Sequence, residues 1–149
     1  MLRIRLECSP KNEQELKKIL EEVGFTIHNE ANLILTEKSI KSKFIFGTID
    51  NEIKLIHPGD VIYIESLNNE IVIHTLENQY IGRHKLYEYE GVYESDGFLR
   101  VHKSFVININ KINSIKSTFN SKFLLEMCNK DKVEVSRSYY HKFKEEIGF

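Results

Sequence analysis

The stretch Phe98 to Ile112 reads FLRVHKSFVININKI, and its reading decides how the rest of the chain is understood. It is strand-like from Phe98 to Ile109, with alternating and adjacent apolar residues bounded by Asp96-Gly97 on one side. Arg100, His102, Lys103 and Ser104 stand between those apolar residues. Cations and a hydroxyl displayed from a strand in this way read as contact with DNA.

The overall composition gives no such hint. The chain has 149 residues, 41% hydrophobic and 29% charged, with a formal net charge of -1. That length suits one ordinary domain, or one domain with a small appendage, and is enough to bury a core. The balance of apolar and charged residues is that of a soluble globular protein. No apolar run approaches the roughly 18 to 20 residues needed to cross a bilayer. The opening, MLRIRLECSPKNEQ, lacks the uncharged core of a secretion signal, so a cytoplasmic location is expected. Cys8 and Cys128 have no Cys or His neighbours at metal or redox spacing and are expected as buried, reduced thiols.

Near-neutrality argues against a nucleic-acid partner until the charge is divided along the chain. Residues 1–42 carry 7 basic and 7 acidic side chains, residues 43–97 carry 4 and 10, and residues 98–149 carry 10 and 5. The last third is thus a basic segment hidden by an acidic middle. Such asymmetry suits electrostatic steering, although neutral proteins also show it by chance.

Leu2 to Cys8 alternates apolar and charged residues and reads as a half-buried strand. Pro10 ends it, and Leu16, Ile19, Leu20 and Val23 recur at helical spacing before Gly24, a C-terminal cap. Phe25–Ile27 and Leu33–Leu35 read as two short strands, so the first 40 or so residues form a strand, helix, hairpin unit. From Phe44 onward strands follow one another: Phe44–Ile49 and Glu52–Ile56 around Asp50-Asn51, then Val61–Ser66 and Ile71–Leu76 around Asn68-Asn69. Tyr80–Gly82 is one more, and Leu86, Tyr89 and Tyr93 mark a short helix. Ile112–Lys116 follows, and Phe123–Met127 pairs with Val133–Ser136. A last helix presents Tyr139 or Tyr140, Phe143 and Ile147.

Three blocks in this order resemble the LytTR DNA-binding domain family: GDVIYIESLNNEIVIHT (Gly59–Thr75), FLRVHKSFVININKI (Phe98–Ile112) and VEVSRSYYHKFKEEIG (Val133–Gly148). The resemblance covers Phe44 to Phe149, about 70% of the chain. It implies a mainly β fold, an elongated stack of antiparallel sheets with short helices, in a domain spanning residues 43–149. It also implies a bacterial transcription regulator that sets loops into successive major grooves of double-stranded DNA, bends it, and binds paired direct repeats. By position, the DNA-reading residues would be Lys103, Arg137 and a residue of the Leu67–Glu70 loop. Relatives often carry a basic or aromatic residue in that loop. Here it holds Asn68, Asn69 and Glu70; Glu70 would repel phosphate, while Asn69 can still hydrogen-bond a base edge.

The residue chemistry is compatible with these roles. Arg or Lys can meet the two acceptors on the major-groove edge of guanine, and a good bidentate contact discriminates by roughly 1–3 kcal/mol. Ser66, Ser104, Ser136 and Tyr139 fit phosphate contacts, which fix register without reading sequence. Each role has a plainer counterpart. Arg137 could be a surface ion pair, Lys103 a solvated turn lysine and each hydroxyl a turn or helix cap. His102 could donate to phosphate or be a hydrogen-bonded structural histidine. Asn108, between Ile107 and Ile109, suits a tie to a local backbone bend. Lys142 and Lys144 add charge near the same edge, and Tyr87, Tyr89 and Tyr93 suit core packing on a short helix.

Neither catalysis nor a cofactor is expected. The histidines are scattered singly, the seven glycines form no phosphate-binding loop, and no Gly-x-Ser-x-Gly turn occurs. Residues 1–42 are too few for a five-stranded receiver domain. They are expected to supply homodimer contacts, for which LRIRLEC would offer an open strand edge, or to bind a separate, membrane-embedded regulator. The alternative function is a protein-interaction module that uses the same β surface without DNA.

Overall fold

A computed structural model describes residues 1–36 and 42–149; the end of the expected first module, residues 37–41, lies outside the described residues. The chain divides into two compact units, Met1–Ile40 and Lys41–Phe149.

In the first unit, strand β1 (Leu2–Glu7) leads into helix α1 (Pro10–Glu22). Pro10 takes the first helical turn, where its missing N–H removes nothing the helix could use, and Gly24 ends it at φ +95°. The chain returns as β2 (Phe25–Ile27) and β3 (Leu33–Thr36). These two strands are not the expected hairpin. Both run parallel to β1, one on each side: Ile4 is registered to Ile27 of β2 and to Leu33 of β3. Residues 28–32 therefore carry the chain across β1 without reversing it. One consequence is that β1 is the central strand, and the open edge expected on LRIRLEC belongs instead to β2 and β3.

The second unit is antiparallel throughout. Strands β4 (Ile45–Ile49), β5 (Glu52–Ile56), β6 (Tyr63–Leu67), β7 (Glu70–His74), β8 (Gln79–Gly82), β9 (Phe98–His102) and β10 (Phe105–Asn108) form one sheet in the order β5-β4-β8-β7-β6-β10-β9. Strands β11 (Ile112–Thr118), β12 (Lys122–Met127) and β13 (Lys132–Val135) form a second. The Asp50-Asn51 and Asn68-Asn69 turns both place two consecutive residues at positive φ, 50° and 62°, then 51° and 64°. That is the geometry whose twist matches a two-residue hairpin, and Asn and Asp tolerate it best after Gly.

The β6-β10-β9 end of the large sheet buries both faces, and the period of two sorts its side chains between them, whereas β4, β5 and β8 leave Phe46, Ile53, Leu55 and Ile81 exposed. Ile64, Ile73 and Val106 face helix α2 (Leu86–Tyr93), which contributes Leu86, Tyr89 and Tyr93. Tyr63, Leu99, Val101 and Ile107 face the small sheet, meeting Phe123, Leu125, Met127, Val133 and Val135, with Phe143 of helix α3 (Tyr140–Ile147). Of the three tyrosines expected as core, Tyr89 and Tyr93 are buried, whereas Tyr87 is 61% exposed. Both thiols depart from expectation too, Cys8 being half-buried and Cys128 exposed. Among the described residues no helix is long and apolar enough to cross a membrane.

Candidate nucleic-acid interface

The stretch FLRVHKSFVININKI does not run as one strand. It breaks at Lys103-Ser104 into the hairpin β9–β10, with a register shift between Phe105 and Val106. Arg100 explains how so short a turn holds. Its Nε donates to the His102 carbonyl at 2.8 Å, and its guanidinium also donates to the Lys103 carbonyl. His102 Nδ1 accepts the Ser104 N–H at 3.1 Å, so the neutral ring carries its proton on Nε2. With its carbonyls and flanking N–H satisfied from within, the turn leaves Lys103 exposed.

Two main-chain hydrogen bonds set this turn beside two others. Ser66 N–H donates to the Ser104 carbonyl at 2.9 Å, joining the β9–β10 turn to the β6–β7 hairpin whose tip is Asn68-Asn69. On its other side, Ser136 N–H donates to the Val101 carbonyl, also at 2.9 Å, which draws the end of β13 and the 3-10 turn Arg137–Tyr139 against β9. Three connections thus lie in a row at one end of the sheet, bearing Asn69, Lys103 and Arg137, all exposed.

The hydroxyls fall in the same row. Ser66 is exposed, and Ser104, Ser136 and Tyr139 are half-buried. Ser136 precedes the 3-10 turn without a side-chain cap bond, its carbonyl accepting the Tyr139 N–H instead. Tyr139 packs its ring on the small-sheet core. Asn108 is structural: buried, its side-chain amide donates to the Val61 carbonyl at 3.0 Å while Oδ1 accepts the Asn110 N–H. Lys142 is not free charge at this edge, since it pairs with Glu90 of α2 at 3.0 Å. That bond holds its pKa above the ordinary lysine value.

A cleft of about 360 Å³ opens among Ser66, Asn69, Lys103, Arg100, Lys85 and Tyr87. Tyr87 was expected in the core, and Lys85 went unremarked in the sequence, although Gly82-Arg83-His84-Lys85 is a conspicuous basic run within the acidic middle third.

Comparison with known proteins agrees with this fold. The family profile described as the LytTr DNA-binding domain matches residues 51–148. The sensory transduction protein LytT of Bacillus cereus is 29% identical over 131 residues, covering 88% of this chain and 53% of that protein. The transcriptional regulatory protein LytR of Staphylococcus aureus is 30% identical over 121 residues, covering 80% of this chain and 49% of that one. The chain therefore spans about half the length of these curated relatives. Among solved structures, the LytTr DNA-binding domain of a putative methyl-accepting/DNA response regulator from Bacillus cereus superimposes with a TM-score of 0.69 at 29% identity. It covers 72% of this chain and 99% of its own. With two-thirds of its residues under the family profile and the same antiparallel architecture, this chain belongs to the LytTr DNA-binding domain family.

Proposed function

We propose that this chain is a sequence-specific, DNA-binding transcription regulator, acting in the cytoplasm, that inserts the row of loops into successive major grooves and bends the duplex. The observation that carries the reading is the alignment of Asn69, Lys103 and Arg137 on adjacent connections fastened by the Ser66–Ser104 and Val101–Ser136 main-chain bonds. Arg137 and Lys103 read guanine edges, and Asn69 reads a base from the hairpin tip. Ser66, Ser104, Ser136, Tyr139 and His102 Nε2–H hold phosphates and set the register.

The chain acts as a homodimer on paired direct repeats. The open edge of β3, with Leu33, Ile34 and Leu35 all exposed, supports a role for the first unit in self-pairing or in docking a separate membrane-embedded regulator. A fluorescence titration against duplex selected from a random pool, at two salt concentrations, tests the DNA reading. The affinity is expected to fall steeply with salt, with a slope of about -0.9 per neutralised phosphate. Salt-insensitive or absent binding would overturn it in favour of a β surface used for a protein partner.

A further inference from the structure

The tip of the β6–β7 hairpin carries Asn68, Asn69 and Glu70, and so brings no cation of its own to a polyanion. Its neighbour on the side away from Lys103 does. Strand β8 ends at Gly82, registered to Ile71 of β7, and the chain leaves it as Arg83-His84-Lys85, all exposed, before α2 begins. One step beyond that registered pair, Arg83 comes level with Glu70. Lys85 opens onto the same cleft as Ser66, Asn69 and Lys103.

This corner is held in place. The His84 N–H donates to the Tyr89 hydroxyl at 3.4 Å, and the Lys85 N–H donates to Glu88 Oε2 at 2.9 Å. Residues 43–97 contain only 4 basic side chains, and the corner holds two of them. The other two are engaged: Lys54 pairs with Glu52 at 2.6 Å, and Lys43 lies over the Phe44 ring. Among the described residues, neither Arg83 nor Lys85 is in an ion pair.

Spacing decides what such cations can reach. Adjacent strands lie about 4.8 Å apart, and the walls of a major groove about 12 Å wide stand roughly 6 Å from its midline. A hairpin tip on the midline therefore sets a long cationic side chain, rooted one strand away, over the phosphates of the wall.

We propose that Arg83 and Lys85 form a phosphate clamp beside the Asn68-Asn69 tip, supplying the positive charge that this tip lacks and offsetting Glu70. The clamp rests on the DNA reading above and adds a fourth connection to the row. It contributes attraction and register, and no base preference.

The test compares the full chain with Arg83→Ala, Lys85→Ala and the double variant. The probes are a duplex selected from a random pool and a scrambled version of it, titrated across a salt series. Each single change should lower the salt slope by about one and weaken both duplexes by the same factor, with Lys85→Arg restoring the slope. Unchanged slopes in variants of a wild type that binds with normal salt dependence would refute the clamp and leave the DNA reading standing. A change in the ratio of selected to scrambled affinity would also refute it, by making the corner a base reader. A wild type that binds neither duplex at any salt removes both proposals. Unaltered circular dichroism of these surface variants verifies that the fold is intact.

Discussion

At the residue scale, Arg100 and Arg137 look alike in the sequence, each an arginine beside an apolar run, and the structure separates them. Arg137 sits exposed on the 3-10 turn behind the Ser136–Val101 bond, while Arg100 turns its guanidinium inward to two carbonyls of its own hairpin. Different outcomes follow. Arg137→Ala should weaken cognate binding by roughly 1–3 kcal/mol and relax base preference at one position, read by titrating duplexes substituted singly across the site. Arg100→Ala should cost about 1–2 kcal/mol of folding stability through the lost charge-assisted bonds, read in urea. It should also weaken DNA binding without altering the salt slope, because a brace neutralises no phosphate. Arg100→Lys keeps the charge and loses the fork, and should rescue little. An altered slope in Arg100→Ala would make that side chain a phosphate contact after all. The sequence could not sort these two arginines, since the sorting depends on a two-residue turn folding back on one of them.

At the scale of elements, local signals were read correctly wherever a turn chemistry or a period declared itself. Asp50-Asn51 and Asn68-Asn69 make the hairpins their composition calls for, and Leu86, Tyr89 and Tyr93 form the buried face of α2. Pairing between distant segments was not legible in the same way. Nothing in Phe25–Ile27 or Leu33–Thr36 says whether they turn back on each other or flank β1, because strands of three and four residues carry too short a pattern to fix partner or direction. The break in Phe98–Ile109 was hidden for a similar reason: apolar residues continue on both sides of Lys103-Ser104, and only the inward arginine and His102 make the reversal evident. Packing of α2 on the sheet rests on a small residue. At Gly82 a Cβ would lie 2.6 Å from the Tyr89 hydroxyl and 2.9 Å from Ile71 Cγ2, closer than real atoms approach. Gly82→Ala should therefore push α2 outward and cost about 1–3 kcal/mol as overpacking. A lowered urea midpoint checks the cost. Tyr89→Phe in the same background, which removes the clashing hydroxyl, should restore part of the loss; no restoration would place the strain elsewhere.

At the scale of the whole molecule, the acidic middle and basic last third observed along the sequence are only partly spatial. Lys142 is paired to Glu90 across these two segments, and Lys132 and Lys122 are paired to Glu126 and Glu134 within the small sheet. Lys103 and Arg137 on the row of loops stand outside these pairs, as do Lys116 and Lys130 on the small sheet, so the charge count pointed to the right partner class for a reason only partly its own. Both cores of the second unit depend on buried tyrosines, and this sets how the fold responds to alkali. Tyr63, between the two sheets, has its pKa pushed up by burial and then by the bond its hydroxyl donates to Asp131 at 2.9 Å. Tyr89 and Tyr93, under α2, are pushed up chiefly by burial. Each phenol ionises near 10 when unfolded and later than that when folded. Between those values the folded state holds more protons than the unfolded one, so stability falls as pH rises for each tyrosine still protonated in the fold. Below the unfolded value these groups contribute no pH dependence. The chain should therefore hold its stability up to the ordinary tyrosine range and unfold cooperatively above it, with tyrosinate absorbance and loss of β-sheet ellipticity rising together. Tyr63→Phe should move that transition to higher pH, because one of the three titrating phenols is gone. Tyrosinate absorbance that develops fully while the ellipticity stays native would mean that these rings ionise in the folded protein, and that neither core depends on keeping them neutral.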